Sequence, residues 1–491
     1  MRAASNPDQL YIRASVILMA VLGILILWTF KDYGVSWDDP LQHSYGEAVL
    51  RYYTSLFRDR SSLSMENGLH YYGAFYEVVA VLATRVLPFQ IFDTRHLVTA
   101  IAGLLAILGT WKLAALVHSP GAAFWSSLLL ALYPSFYGHM FINSKDIPFA
   151  AFYVWSLYYL IQWLQQSQRA SLVPALKLAL TSGLAMAVRV PGMVLLVYLF
   201  VFTVLHSGVT RRTVAGLVTV AVVSYSVMLV FWPYGMSKPF VRPISTLLLF
   251  SSSNPDAPLD YIPRYWLIKT PELVIVILVL TIVLVTMKVF RSMPYFILAT
   301  SVLFPIAYAI LKRVMLYDEI RQMLFVMPPL YCLAGITTQH LLDSMSRSAA
   351  LKRVTLVLLS GYLVLHAIDA ARLHPYEYMY YNRIVGGLPG AAAKGYETDY
   401  WVTGYREAIK DLEAHLGDQQ SYMIFVSSAP WSALPDFPAN FKLTNTIADA
   451  GVYLATTRAG VDRWHSGSEA VVVQRLGVPI VVAKLLPSLA H

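Results

Sequence analysis

Cysteine is nearly absent: the 491-residue chain has one, Cys332. No intramolecular disulfide is available, and no CxxC or His/Cys cluster offers a zinc site. Charge is scarce as well. Lys, Arg, Asp and Glu make up 13% of the residues, about half the share of an average soluble chain, while 57% are hydrophobic. A soluble globule of this length has too little interior to hide that apolar surface. A soluble enzyme, a disordered chain and a collagen-like chain are therefore excluded. Internal repeats and low-complexity tracts are also missing, which disfavours the inverted-repeat transporter folds. What is left is a polytopic, mainly α membrane protein with a smaller water-exposed part.

What is present is a series of apolar runs, each long enough to cross or nearly cross ~30 Å of hydrocarbon. They fall at 14–30, 96–117, 122–138, 147–164, 173–188, 190–206, 213–232, 271–289, 294–311, 322–341 and 354–370, which predicts about eleven spans. The first run follows Arg2 and Arg13 and lacks a small-residue cleavage site, so it reads as an anchor helix entering from the cytoplasm. The segment Tyr71 to Pro88 is apolar but carries Glu77 and Arg85. It is read as a helix lying in the interface. With that choice Lys112, Arg169, Lys177, Arg211, Arg212, Lys288, Arg291, Arg347, Lys352 and Arg353 share the cytoplasmic side. The loops 31–95 and 233–270, Asp146, Arg189, Asp318, Arg321 and the C-terminal segment then share the other. A crossing there would spoil this positive-inside bias. The net charge of +9 fits that bias and anionic lipid head groups better than nucleic acid.

From about Ala371 the composition becomes mixed. Residues 1–370 read as a transmembrane catalytic unit with 31–95 as its first external loop, and 371–491 as a small extracytoplasmic α/β domain. In the latter, Tyr405–Leu416 has amphipathic helical spacing, and 422–427, 452–457, 471–473 and 478–482 read as strands.

Two polar stretches carry chemistry. Gly34-Val35-Ser36-Trp37-Asp38-Asp39-Pro40, followed by His43, sets two adjacent carboxylates at the end of the first span. One reading is a helix N-cap ahead of Pro40. The other is a general base with an orienting partner. His139, Asn143, Lys145 and Asp146 form a second polar knot between two spans. Asp146 before Ile147-Pro148 suits a cap, but a cation beside a carboxylate also suits holding a phosphate near a hydroxyl. Arg189, Arg264, Lys269 and Arg321 sit on the same predicted face. Singly each is a snorkelling interfacial cation; converging, they form a receptor for a lipid phosphate. The aromatic stretch around Tyr376, with Glu397 and Asp399 after it, reads either as an interfacial belt or as a surface for sugar or acceptor.

These residues fit one reaction: transfer of a sugar from a polyprenyl-phosphate donor to an acceptor hydroxyl at the extracytoplasmic face, with inversion. The phosphate leaves and needs positive charge, while the hydroxyl needs a base. The dyad in the first external loop, the interfacial segment and the second external acid together resemble the GT-C superfamily of integral-membrane glycosyltransferases. The similarity is greatest to the branch of bacterial protein mannosyltransferases and the lipid A aminoarabinose transferase, over roughly residues 10–370. The resemblance implies a hexosyl- or pentosyltransferase of the bacterial inner membrane, with Asp38 as base, Asp39 orienting acceptor or donor, and Asp146 completing the acidic site. It implies Lys145, Lys269 and Arg321 as phosphate contacts. Arg189 and Arg264 join them from the residue reading, and His43, His139, Asn143, Tyr376, Glu397 and Asp399 are candidates for acceptor or sugar. The dyad departs from the commoner Asp-Glu. No cofactor is expected; the alternative is magnesium or manganese held by Asp38, Asp39 and Asp146. A lipid-sugar flippase or transporter and a glycan polymerase or ligase are the competing functions. The partners expected are the lipid-linked donor, a lipid, glycan or protein acceptor, and membrane lipids, with no nucleic acid.

Overall fold

The computed structural model describes residues 6–166, 173–254, 258–314 and 316–487. Arg2 and Arg169, which enter the charge bias, lie outside them. Among the described residues seven helices are long and apolar enough to cross a membrane: Pro7–Thr29, Ile91–Val117, Asp146–Gln165, Val190–Ser207, Arg211–Val230, Met293–Leu311 and Ala349–Leu373. An eighth span arises if Tyr261–Lys269 and Glu272–Thr286 count as one, bent by 118°. The outermost helices expose their apolar side chains. Val354, Val357, Leu358 and Val364 of the last one are all more than half exposed, a surface that needs lipid rather than water. The chain is an integral, polytopic, mainly α membrane protein.

The difference from eleven runs has local causes. The run 122–138 is two helices, Pro120–Ala131 and Pro134–Ile142, because Pro134 supplies no N–H and starts a new helix at its first position. Val173–Met186 has 14 residues, roughly 21 Å at the helical rise, and falls short of the hydrocarbon thickness. The run 322–341 opens as a 3₁₀ turn, Arg321–Val326, before the helix Met327–Ser344. That helix is buried along most of its length and carries Thr337, Thr338 and Gln339, so its environment is protein.

The Tyr71–Pro88 segment forms a 12-residue helix, Phe75–Val86, too short to cross at roughly 18 Å. Its buried face, Tyr76, Glu77, Ala80 and Val81, follows the 3.6-residue period. It packs against the helices Asp39–Thr54 and Ile91–Val117 and so braces the loop that carries the dyad.

The C-terminal region holds a five-stranded mixed sheet, β1 (Tyr422–Val426), β2 (Phe441–Leu443), β3 (Val452–Thr456), β4 (Ser468–Arg475) and β5 (Val478–Leu485), in the order β2-β1-β3-β5-β4. β1 pairs in parallel with β2 and β3, whereas β5 pairs antiparallel with β3 and β4. Leu476 and Gly477, both at positive φ, close the β4–β5 hairpin in two residues, the conformation that matches the strand twist. The helix Tyr405–Leu416 packs on β4 and β5 through Tyr405, Ala408, Ile409 and Leu412, and stops at Gly417, whose φ is 73°.

Candidate active site

Asp38 and Asp39, adjacent in sequence, face different partners. Asp38 precedes the helix Asp39–Thr54 without a side-chain capping bond. Its carboxylate is 28% exposed and lies 3.4 Å from Lys145 Nζ. Asp39 turns inward. Its Oδ2 accepts from Ser36 N at 3.0 Å and Ser36 Oγ at 2.8 Å, with Arg95 Nε 3.7 Å from Oδ1 and His96 Nε2 3.8 Å from Oδ2. Burial alone pushes the Asp39 carboxyl up, but His96, Arg95 and Ser36 outweigh it and hold the group below its ordinary value. Arg95 continues to Glu77 at 2.6 Å, joining the bracing helix to the dyad.

The second knot is tied by Asn143. Its Oδ1 accepts from the Asp146 and Lys145 backbone N–H at 2.9 and 3.3 Å, so Asn143 rather than Asp146 caps the following helix. The Asp146 carboxylate is thereby left for other partners. It is 1% exposed, with Arg189 Nη2 2.7 Å from Oδ1, Asn143 Nδ2 donating to Oδ2 at 2.8 Å and Arg321 Nη1 3.8 Å from Oδ2. His139 lies behind, 3.3 Å from Asn143 through Nδ1 and 3.0 Å from the Tyr400 hydroxyl through Nε2. Burial pulls the Lys145 ammonium down, and the nearby Asp38 outweighs that and leaves it raised, so it is a cation.

Arg189 and Tyr72 belong also to the wall of a large apolar cavity of about 540 Å³, with Phe149, Val194, Val197 and Phe250 among its other lining residues. Lys145 Nζ and the Arg189 guanidinium stand over the Tyr72 ring at 4.7 and 5.9 Å. The paired acids and bases thus adjoin a greasy channel.

The remaining expected residues are distributed more widely. Lys269 is fully buried and engaged, 2.6 Å from Glu319 Oε2 and donating to the Tyr378 carbonyl at 2.9 Å. Arg264 pairs at 3.4 Å with Asp260, the residue that precedes its own helix. His43 stands 3.8 Å from Glu47. The Tyr376 hydroxyl donates to Glu407 at 2.9 Å. The Asp399 carboxylate accepts from the Tyr378 hydroxyl and from the backbone N–H of Thr403 and Gly404, at the start of the Tyr405–Leu416 helix. These contacts tie Arg264, His43, Tyr376 and Asp399 to partners outside the Asp38–Lys145–Asp146 cluster. Glu397 is half-buried, its carboxyl raised by burial and by Asp318. The alternative metal set is not assembled: among the described residues no three His, Cys, Asp or Glu side chains are grouped to hold a metal, and Asp38, Asp39 and Asp146 each face a basic side chain.

Residues without a motif complete the cluster. Asp318 Oδ2 lies 3.1 Å from Arg321 Nη2 and its Oδ1 lies 2.9 Å from Arg458 Nη2. Glu319 also accepts from the Tyr381 hydroxyl at 2.7 Å. Burial pushes its carboxyl from 4.5 to about 7, although Lys269 pulls the other way. The native state therefore holds this proton more tightly than the unfolded chain does. Its contribution to stability is fully present below 4.5 and is lost as pH rises towards 7. Accordingly, the melting temperature of the native chain should fall relative to that of Glu319→Gln across this window. Parallel melting curves in the two proteins from acid to neutral pH would show that Glu319 does not titrate there.

Residues 77–236 match the sequence model of the family described as dolichyl-phosphate-mannose-protein mannosyltransferase. No curated protein matches the chain by sequence. In structure it is similar to ArnT from Cupriavidus metallidurans bound to undecaprenyl phosphate, with a TM-score of 0.55 and 16% identity over 97% of this chain and 99% of that one. It is also similar to the oligosaccharyltransferase AglB from Archaeoglobus fulgidus, in complex with an inhibitory peptide and a dolichol-phosphate, with a TM-score of 0.54 and 12% identity over 92% of this chain and 70% of that one. Over more than nine tenths of its length the chain thus has the fold that ArnT and AglB share, the GT-C fold, and within it residues 77–236 match the mannosyltransferase model.

Proposed function

We propose that the protein is an inverting glycosyltransferase that moves a hexosyl or pentosyl group from a polyprenyl-phosphate donor to an acceptor hydroxyl at the extracytoplasmic membrane face. One observation carries this reading: a half-buried carboxylate, Asp38, stands beside Lys145, next to Asp146 with Arg189 and Arg321, where the large apolar cavity begins. A polyprenyl chain suits the cavity, and its phosphate suits the cations around Arg189. The lipid phosphates carried by ArnT and AglB in their structures agree with such a donor. In the reaction Asp38 takes the proton of the acceptor hydroxyl as the new bond to the anomeric carbon forms. The bond from that carbon to the phosphate oxygen breaks on the opposite side, and Lys145, Arg189 and Arg321 balance the charge gathering on the phosphate. Asp39, which accepts from Ser36, holds the dyad loop in shape, and Asp146 holds the cations.

The test is transfer itself. The purified protein, given a polyprenyl-phosphate sugar labelled in the sugar and a membrane extract, should yield a labelled acceptor and free polyprenyl phosphate. Release of labelled free sugar alone, or movement of intact lipid across a vesicle wall, would oppose the reading. Val197 is among the residues that line the cavity, and it is half exposed. Val197→Trp should raise the KM for the lipid donor about tenfold and leave kcat within about threefold, the mark of lost uniform binding. An unchanged KM would place the lipid tail elsewhere.

A further inference from the structure

The loop that carries Asp38 is gripped by the C-terminal region at several points. Trp37 N donates to the Trp401 carbonyl at 3.2 Å. The Trp37 carbonyl accepts from Trp431 Nε1 at 2.9 Å, and Trp431 belongs to the short helix after β1. The Arg458 guanidinium lies 4.4 Å from the centre of the Trp37 ring. Three residues earlier, Gly34 passes so close to Thr403 that a Cβ there would lie 2.0 Å from the Thr403 carbonyl oxygen. Only glycine allows that approach.

Arg458 makes a second connection. It follows β3, where its N–H donates to Thr456 Oγ1 at 3.3 Å, and from this anchored position it reaches Asp318 at 2.9 Å and the Tyr400 carbonyl. Asp318 holds Arg321 through its other oxygen, and Arg321 faces Asp146. One side chain therefore touches the residue before Asp38 and, through Asp318, sets a cation beside Asp146. Asp318 and Glu319 both take positive φ, 55° and 64°, a conformation that nonglycine residues keep only where their surroundings enforce it.

We propose that Arg458 is a positioning residue through which the C-terminal sheet region fixes the relative placement of Asp38 and Arg321. The inference rests on the sugar-transfer reading for its catalytic consequence, but its geometric content stands apart from it. In a reaction that depends on alignment, a displacement of about 1 Å costs up to ~100-fold in rate. Arg458→Ala should therefore lower kcat at least about tenfold and raise the KM for the lipid donor by a clearly smaller factor, because Arg189 and the cavity are untouched. Arg458→Lys keeps a cation for Asp318 and should recover at least half of the lost activity on a logarithmic scale. A merely structural role would instead lower the amount of folded protein and leave kcat per folded molecule intact, and that outcome overturns the proposal.

A second measurement does not need turnover. Cys332 is buried, so a cysteine placed by Asp38→Cys supplies the reactive thiol of the full-length protein. Adding Arg458→Ala should raise its rate of labelling by a soluble maleimide several-fold, and Arg458→Lys should restore the slower rate. Equal labelling rates with and without Arg458 overturn the positioning role whatever the activity. Unequal rates, with a native chain that transfers no sugar, uphold the positioning role and overturn the sugar-transfer reading.

Discussion

Replacing Asp38 by Asn should reduce sugar transfer about 10³-fold, the scale of a lost general base, with the folded protein and its affinity for polyprenyl phosphate preserved. The three candidate acids are not equivalent. Asp146 is buried and held at 2.7 Å by Arg189, with Arg321 on its second oxygen, so both its oxygens are already engaged by cations. Asp39 is buried and accepts twice from Ser36, and its carboxyl is held below the ordinary range, which weakens it as a base. Asp38 alone combines exposure with a single cation at 3.4 Å. Asn keeps the shape and can still meet Lys145, so the loss isolates the proton transfer. The check is initial rate at saturating donor, alongside donor-analogue affinity and melting temperature. Asp146→Asn should differ in kind: its main effect is on donor binding, because it releases Arg189 and Arg321. If Asp38→Asn turned over at the native rate while Asp39→Asn did not, the base would be the second member of the dyad.

Much of this arrangement was legible because membrane sequences make polar residues conspicuous. Asp38, Asp39, Lys145 and Asp146 sit in short polar stretches between apolar runs, and a common face for them followed from the positive-inside bias once Tyr71–Pro88 was kept from crossing. The Tyr405–Leu416 helix and four strands were readable from their periods, whereas β2, three residues long, is below what alternation can reveal. The span number was harder, since apolar length does not separate a helix in lipid from one enclosed by protein, as Met327–Ser344 shows. The two directions taken by Asp38 and Asp39 were hidden too, because Asp39 is turned inward by Ser36, Arg95 and His96. Arg458 and Asp318 are 140 residues apart, and neither stands in a motif. Arg264 and Lys269 share one short helix, yet one meets its own Asp260 and the other is sealed against Glu319. Only the tertiary packing distinguishes them.

Arg95→Ala should produce the largest loss of stability, about 3–5 kcal/mol, because it leaves a buried carboxylate without its cation. Arg95 and Glu77 are each nearly inaccessible and meet at 2.6 Å, while the same guanidinium lies 3.7 Å from Asp39. Glu77 comes from the short bracing helix, Arg95 from the Ile91–Val117 span, and Asp39 from the dyad loop, so one cation holds three elements together. Removing it strands two acids, and the bracing helix is too short to hold its place by its own hydrogen bonds. Glu77→Gln should cost less, since Arg95 keeps Asp39. The double replacement Glu77→Leu with Arg95→Met should regain much of the loss in stability, because an apolar pair needs no compensation for desolvation. It should not regain activity, because Asp39 would still lack its partner and the Asp38 loop its anchor. The two readouts, thermal unfolding in detergent or nanodiscs and transfer rate per folded molecule, should therefore separate in the double variant. Recovery of both together would show that Arg95 acts only as a brace and that the dyad keeps its geometry without it.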